Sequence, residues 1–113
     1  SNKYININKL DPSDHRKNYP SKQTEIWKKA SNKFNFLYEN ITPSQAALRF
    51  CLDFKEISTV IPGMLTQEHV LENIKASSIN SFSNSIHKKI SEIYKNTTLI
   101  DPSIKGKKDI KDE

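Results

Sequence analysis

The residues best suited to chemistry lie in one stretch, where a β-branched run ends in a Pro-Gly turn and a helical pattern begins. The run Ile57-Ser58-Thr59-Val60-Ile61 leads into Pro62-Gly63, and Thr66 directly precedes the helical residues. A Thr in that position caps a helix with its hydroxyl. The free backbone N–H groups at a helix start can also bind an anionic group such as a phosphate. Spacing alone favours a plain cap over a ligand site, because such helix starts are common.

Other residue types that could take part in catalysis stand alone in the sequence. His15 is a single histidine in a loop, without an evident partner. Cys51 falls on the apolar side of a predicted helix, which is typical of a small buried residue and not of a nucleophile. The aromatic residues Trp27, Phe34 and Tyr38 follow helical spacing, so we interpret them as core residues and not as a base-stacking surface.

The composition indicates a small folded domain. Of its 113 residues, 35% are hydrophobic and 27% are charged, with a mean hydropathy of −0.72. This balance is polar, yet it retains the apolar content that disordered chains lack. The single cysteine excludes an internal disulfide, and no signal peptide or run of about 18 apolar residues is present. We therefore expect a cytoplasmic protein that does not associate with a membrane.

The basic net charge does not indicate a nucleic-acid binder. The formal net charge is +5 and the pI is about 9.3. Proteins that bind nucleic acid group Lys and Arg on one face, where they displace counterions from the phosphate backbone. Here the lysine-rich residues 105–113 mix both signs, and no Arg-rich or aromatic-interleaved segment occurs elsewhere. The pattern favours a solvated surface, and nucleic acid is not expected as a partner.

Periodicity predicts four helices and one strand. The predicted helices cover residues 22–38, 43–52, 67–77 and about 84–96, with caps at Ser21, Thr42, Thr66 and Ser83. The strongest local signal is Thr42-Pro43-Ser44-Gln45, which combines an N-cap, a first-turn proline and a capping-box glutamine. The helix behind it is expected to bury Ala47, Leu48, Cys51 and Leu52.

The β-branched run from Ile57 to Ile61 predicts a strand that is covered on both faces, as in parallel sheets. The only other candidate strand lies near Ile5 and Ile7, so a full ladder needs strands from elsewhere. Residue 1 is Ser and the only methionine is Met64, from which we expect that the chain is part of a longer product. We predict that it packs against further sheet in cis or in trans, and that exposed apolar faces allow self-association.

Four segments, taken together, resemble the C-terminal part of the aldo-keto reductases over about Asp14 to Asn96. These segments are Asp14-His15-Arg16, Thr42-Pro43-Ser44-Gln45-Ala46-Ala47-Leu48-Arg49-Phe50, Ser58-Thr59-Val60-Ile61-Pro62-Gly63, and Glu72-Asn73 with Ala76. The resemblance implies a mostly α chain with one or two short strands, which forms the last strand and C-terminal helices of a partial (β/α)8 TIM barrel. It also implies that Ile57–Gly63 is the last barrel strand and that 22–96 is the barrel segment. The residue pattern outside that segment predicts an extended arm or loop over 1–21 and a polar, disordered tail over 97–113.

The resemblance further implies that the loop and helix after the last strand bind the adenosine end of NADP. The corresponding residues are Gly63, Met64, Leu65, Thr66, His69, Glu72 and Asn73. Gly63 and Met64 correspond to the turn beside the adenosine phosphate, and Thr66 to the capping hydroxyl there. Glu72 and Asn73 correspond to the pair near the adenine.

Two positions differ from the family pattern. Leu65 stands where Arg or Lys usually neutralises the 2′-phosphate, so NAD is possible in place of NADP. His69 stands where Gln is common and could partly compensate if protonated.

The catalytic Tyr, Asp, Lys and His of that family belong to earlier strands, and no corresponding motif occurs in this sequence. We therefore expect a C-terminal portion of an NAD(P)-dependent oxidoreductase that supplies part of the cofactor site. It would contain no catalytic residue and no metal site, and it would bind no cofactor strongly alone. The alternative is a non-catalytic truncated relic or a small helical interaction module.

Overall fold

The computed structural model of the chain describes residues 10–104, which are mostly helical and contain no β-strand. The α-helices in this range are α1 (Ser21–Asn32), α2 (Pro43–Leu52), α3 (Gln67–Lys75) and α4 (Asn84–Lys95). Short 3₁₀ turns cover His15–Asn18, Asn35–Leu37 and Ala76–Ser78. The mostly helical class is confirmed. The candidate strand near Ile5 and Ile7 and residues 105–113 of the predicted tail lie outside the described residues.

Helices α2 and α3 begin at the threonine caps that the sequence predicts. Thr42 Oγ1 accepts the backbone N–H of Gln45 at 3.2 Å, and Gln45 Oε1 accepts the N–H of Thr42 at 3.1 Å, which completes the capping box. Thr66 Oγ1 accepts the N–H of His69 at 3.2 Å. A cap of this kind stabilises a helix by about 1 kcal/mol. Local backbone chemistry therefore fixes where both helices start.

Helix α1 differs from the prediction at both ends. Ser21, predicted as the cap, is its first residue, and Pro20 occupies the cap position without a side-chain hydrogen bond. The helix ends at Asn32, and the next residues form the 3₁₀ turn over Asn35–Leu37. Ser and Asn have low helix propensity because their side chains compete for backbone hydrogen bonds. Their accumulation at residues 31, 32 and 35 explains why the helix does not continue to Tyr38.

The strand predicted over Ile57–Gly63 is wrong for the described chain, since residues 57–65 have no regular secondary structure. No backbone hydrogen bond joins residues 58–64 to another part of the chain within residues 10–104. A strand requires a ladder with a neighbour, and residues 10–104 supply none. The β-branched side chains therefore stay uncovered, and Ile61 is 94% exposed.

The chain divides into two compact units, each with a thin core. The first unit comprises Phe36–Lys89, and the second comprises residues 10–35 and 90–104, so α4 begins in one and ends in the other. The buried apolar residues among those described are Ala46 and Ala76 in the first unit and Ala30 and Ile90 in the second. No large side chain of the described residues is completely buried. Such cores contribute little of the hydrophobic stabilisation that a small domain needs.

On α2, the buried alanine is Ala46 and not Ala47, which is exposed. The helix turns its Gln45 and Ala46 side toward α3, where Gln45 Nε2 donates to the backbone carbonyl of Glu72 at 2.9 Å. The other residues expected in the core of this helix are only half-buried: Leu48, Cys51 and Leu52. The contact with α3 therefore sets which side of α2 is covered.

In the second unit, Gln23 holds residues 99–101 against α1. Its Nε2 donates to the carbonyl of Leu99 and its Oε1 accepts the N–H of Asp101, both at 2.8 Å. Gln23 is only 3% exposed, so these bonds replace the water that its amide loses on burial. The Asp101 carboxylate in turn accepts the N–H and hydroxyl of Ser103, and these bonds lower the pKa of Asp101.

Candidate functional site

The residues that the resemblance assigns to a cofactor lie around the start of α3, in the first unit. Gly63, Met64 and Leu65 precede the helix in the irregular segment, and Leu65 is 83% exposed. A Cβ atom placed on Gly63 would have no atom within 4 Å. Packing within the chain thus does not require glycine there, and the turn leaves open space for a group that approaches from solvent.

Thr66 and His69 organise the first turn of α3. Besides the cap bond, His69 Nδ1 accepts the backbone N–H of Leu65 at 3.4 Å. Because Nδ1 is the acceptor, the neutral ring carries its proton on Nε2. The first-turn N–H groups of Gln67 and Glu68 have no hydrogen-bond partner within the described residues. The turn therefore offers two free backbone donors and a hydroxyl at the positive end of a helix.

Glu72 and Asn73 have different surroundings. The hydroxyl of Thr42 donates to Glu72 Oε1, so this carboxylate is joined to the start of α2. Asn73 lines a cavity of about 400 Å³ together with Met64 and mainly apolar side chains such as Leu48 and Val60. The structure therefore brings Met64 and Asn73 to one cavity, whereas the Glu72 carboxylate is engaged within the chain.

The formal charges of this region do not attract an anion, so a phosphate here would depend on backbone N–H and hydroxyl donors alone. Residues 57–74 contain no Lys or Arg, and Glu68 is acidic in the first turn of α3. Leu65 cannot make the charge-assisted bond that a 2′-phosphate normally receives. The Thr66 hydroxyl and the free N–H groups thus provide donors for the adenosine phosphate of a dinucleotide, but these residues provide no cation for its 2′-phosphate.

A half-buried polar cluster at the end of α2 was not predicted. Asp53, with only 5% of its side chain exposed, accepts hydrogen bonds from Arg49 Nε at 2.9 Å, His87 Nε2 at 2.7 Å and the N–H of Phe82 at 2.9 Å. Burial raises the pKa of the Asp53 carboxyl, but bonds from His87, Phe82 and Ser81 and the charge of Arg49 outweigh it and lower the pKa.

Part of this cluster had a signal in the sequence. Arg49 and Asp53 have the i,i+4 spacing of a helical ion pair, so their contact could have been predicted. His87 lies 34 residues beyond Asp53 and has no such signal.

The His87 ring packs against aromatic side chains, with centroid distances of 5.4 Å to Phe50, 5.8 Å to Phe54 and 6.2 Å to Phe82. An imidazole held by a carboxylate has the arrangement of a general base. Within residues 10–104 no three His, Cys, Asp or Glu side chains are grouped to hold a metal ion. The contacts of the cluster connect the end of α2 with the start of α4.

Asp14 and Arg16, which belong to the first matching segment, form a local turn in the second unit. The Asp14 carboxylate accepts the backbone N–H of Arg16 at 3.0 Å and its Nε at 2.8 Å, and it also pairs with Nη2. These bonds from Arg16 hold the pKa of Asp14 well below its usual range. His15 is largely exposed beside them. The segment acts as a cap for the 3₁₀ turn over His15–Asn18.

Comparison with known proteins gives no function for this site. No family model, no curated protein and no solved structure matches the chain. Across residues 10–104, none of the helices has the length and apolar character needed to cross a membrane.

Proposed function

We propose that this chain is the C-terminal portion of an NAD(P)-dependent oxidoreductase of the aldo-keto reductase type. In this proposal it supplies the adenosine-phosphate side of the cofactor site and no catalytic residue. The observation that supports it most is the capped start of α3, where Thr66 and the free N–H groups of Gln67 and Glu68 lie beside the open turn at Gly63. The order of the four matching segments along the chain is the second support.

The proposal also accounts for the uncovered irregular segment. Residues 58–64 lack backbone partners within the described chain, and Ile61 is almost fully exposed. In a (β/α)8 barrel, the same residues would form the last strand between two neighbouring strands, with their C-terminal end at the site. Those neighbours would come from the rest of the barrel, in cis or in trans. The thin core of the first unit is consistent with such a missing partner.

Each site residue then has a physical role in binding. The Thr66 hydroxyl and the backbone donors would hold the adenosine phosphate, and Met64 with Asn73 would form a wall for the adenosine. When bound, the cofactor supplies the hydride, while this chain only positions its adenosine end. Leu65 provides no charge for a 2′-phosphate, so discrimination between NADP and NAD should be weak.

Saturation-transfer NMR with NADPH and NADH tests this function on the chain. We expect weak binding, with a Kd on the order of 1 mM, because only one side of the site is present. The variant Thr66→Val keeps the shape of the side chain and removes the hydroxyl, so it should reduce the transfer signal. Ser83→Ala removes the cap of α4, where Ser83 Oγ accepts the N–H of Ile86, and serves as the matched control. Equal signals from both variants and the wild type would contradict the proposal.

The alternative, a small helical interaction module without a cofactor, is favoured by one observation. The half-buried cluster of Arg49, Asp53 and His87 joins elements of the first unit without any further chain. Denaturant unfolding followed by circular dichroism and by Trp27 fluorescence separates the two functions. Cooperative, coincident unfolding of a compact monomer supports a self-sufficient module, whereas a molten or aggregating chain supports a barrel portion.

A further inference from the structure

One side of α3 is exposed and carries apolar residues between opposite charges. Leu71 is 55% exposed and Ile74 is 63% exposed. Glu68 and Lys75 are also exposed, and neither side chain has an ion-pair partner among the residues that the structure describes. The other side of the helix is covered by α2 through Gln45. We call these four exposed residues the α3 face.

The order of charges on the α3 face makes it complementary to itself. Glu68 lies in the first turn of α3 and Lys75 is its last residue. Seven residues correspond to about 10 Å along the axis and nearly two turns, so both side chains lie on the same side. When two such helices pack antiparallel about a two-fold axis near Leu71, each Glu68 faces a Lys75 of the other copy. A parallel arrangement would bring like charges together.

We propose that the α3 face docks on the same face of a second copy of this chain and forms a two-fold symmetric dimer. Leu71 and Ile74 of the two copies pack at the centre, and the two Glu68 to Lys75 pairs flank them. The opposite order of charges at the two ends of the face favours this occupant over an unrelated protein. The inference rests on side chains of α3 and needs no bound cofactor, although the N–H of Glu68 and the side chain of Ile74 also border the proposed cofactor site.

The association is weak. A stable interface buries about 800 Å² on each partner, and the exposed side of a nine-residue helix provides less. We therefore expect a Kd on the order of 0.1 mM. The formal net charge of +5 on each copy adds repulsion, which is screened at about 0.15 M salt.

Sedimentation equilibrium on charge-reversal variants of the whole chain tests the dimer, at concentrations from about 10 μM to 1 mM. Glu68→Lys raises the formal net charge from +5 to +7, and Lys75→Glu lowers it to +3. The double variant returns it to +5. Glu92→Lys, at an exposed position of α4, also gives +7 and is the matched control. Circular dichroism verifies that α3 remains helical, because the reversed charges oppose the helix dipole.

Each single reversal should weaken dimerisation by about tenfold or more, since two attractive pairs become repulsive. The double variant should recover the wild-type constant within about threefold, because the pairs re-form with exchanged signs. Glu92→Lys should change the constant by less than about threefold, and Leu71→Gln should abolish the dimer. A wild-type chain that stays monomeric at the highest concentration, single variants that match the control, or a double variant without recovery would each overturn the proposal.

Discussion

Replacing Asp53 by Asn should destabilise the first unit, because this carboxylate accepts hydrogen bonds from Arg49, His87 and the N–H of Phe82 while only 5% of its side chain is exposed. Asn preserves the size of the side chain but presents an NH₂ group to at least one of the three donors, Arg49 Nε, His87 Nε2 and the N–H of Phe82. A hydrogen bond to a charged group contributes about 1.5 to 3 kcal/mol, and a buried donor left unpaired costs a similar amount. We expect a loss of about 2 to 3 kcal/mol in the free energy of unfolding.

The size of this loss should depend on pH in a defined direction. The pKa of Asp53 in the folded state lies below its ordinary value of 3.8. A lowered folded-state pKa contributes stability that is present above the unfolded-state pKa and is lost as the pH falls through the folded-state value. The difference between the wild type and Asp53→Asn should therefore be constant above about pH 5 and decrease below about pH 4.

Urea unfolding at a series of pH values measures both effects, with Glu92→Gln as a control at an exposed, unpaired position of α4. The control should change the free energy of unfolding by no more than about 0.5 kcal/mol. A loss for Asp53→Asn no larger than the control, or a difference that stays constant from pH 3 to pH 6, would refute this account of the cluster.

Three further predictions concern other parts of the chain. Gln23→Leu should lower the free energy of unfolding by about 1 to 3 kcal/mol, because it leaves backbone groups of residues 99–101 unpaired. Hydrogen exchange at the Asp101 amide should accelerate, and unchanged exchange would contradict this. Thr42→Val should lower the free energy of unfolding in urea by about 1 to 2 kcal/mol, since it removes both the capping box and the bond to Glu72. A change below about 0.5 kcal/mol would contradict this. Leu65→Arg should increase affinity for NADP relative to NAD by about fivefold in calorimetry, and an equal increase for both would contradict the 2′-phosphate argument.

The features predicted correctly from the sequence are those that local chemistry determines. Thr42 and Thr66 cap helices because their hydroxyls bond to N–H groups three residues away, within a single turn. Nothing from the rest of the fold is needed for that interaction. The mostly helical class follows in the same way from apolar spacing along each helix.

The features that were missed depend on partners distant in the sequence. The run at Ile57–Ile61 has the side chains of a strand, but a strand forms only beside another, and none lies within residues 10–104. At the candidate site, the position of Thr66 could be predicted, whereas the bond from Thr42 to Glu72 joins residues 30 apart. The bond between Asp53 and His87 was missed for the same reason, because these residues are 34 positions apart in the sequence.

The central claim, that the start of α3 holds the adenosine phosphate of a dinucleotide, is tested most directly by mapping amide chemical shifts while NADP or NAD is added. We expect saturable shifts at the amides of residues 64–69, which are reduced in Thr66→Val and preserved in Ser83→Ala. No shift at those amides up to about 10 mM cofactor, or shifts confined to other helices, would contradict the claim.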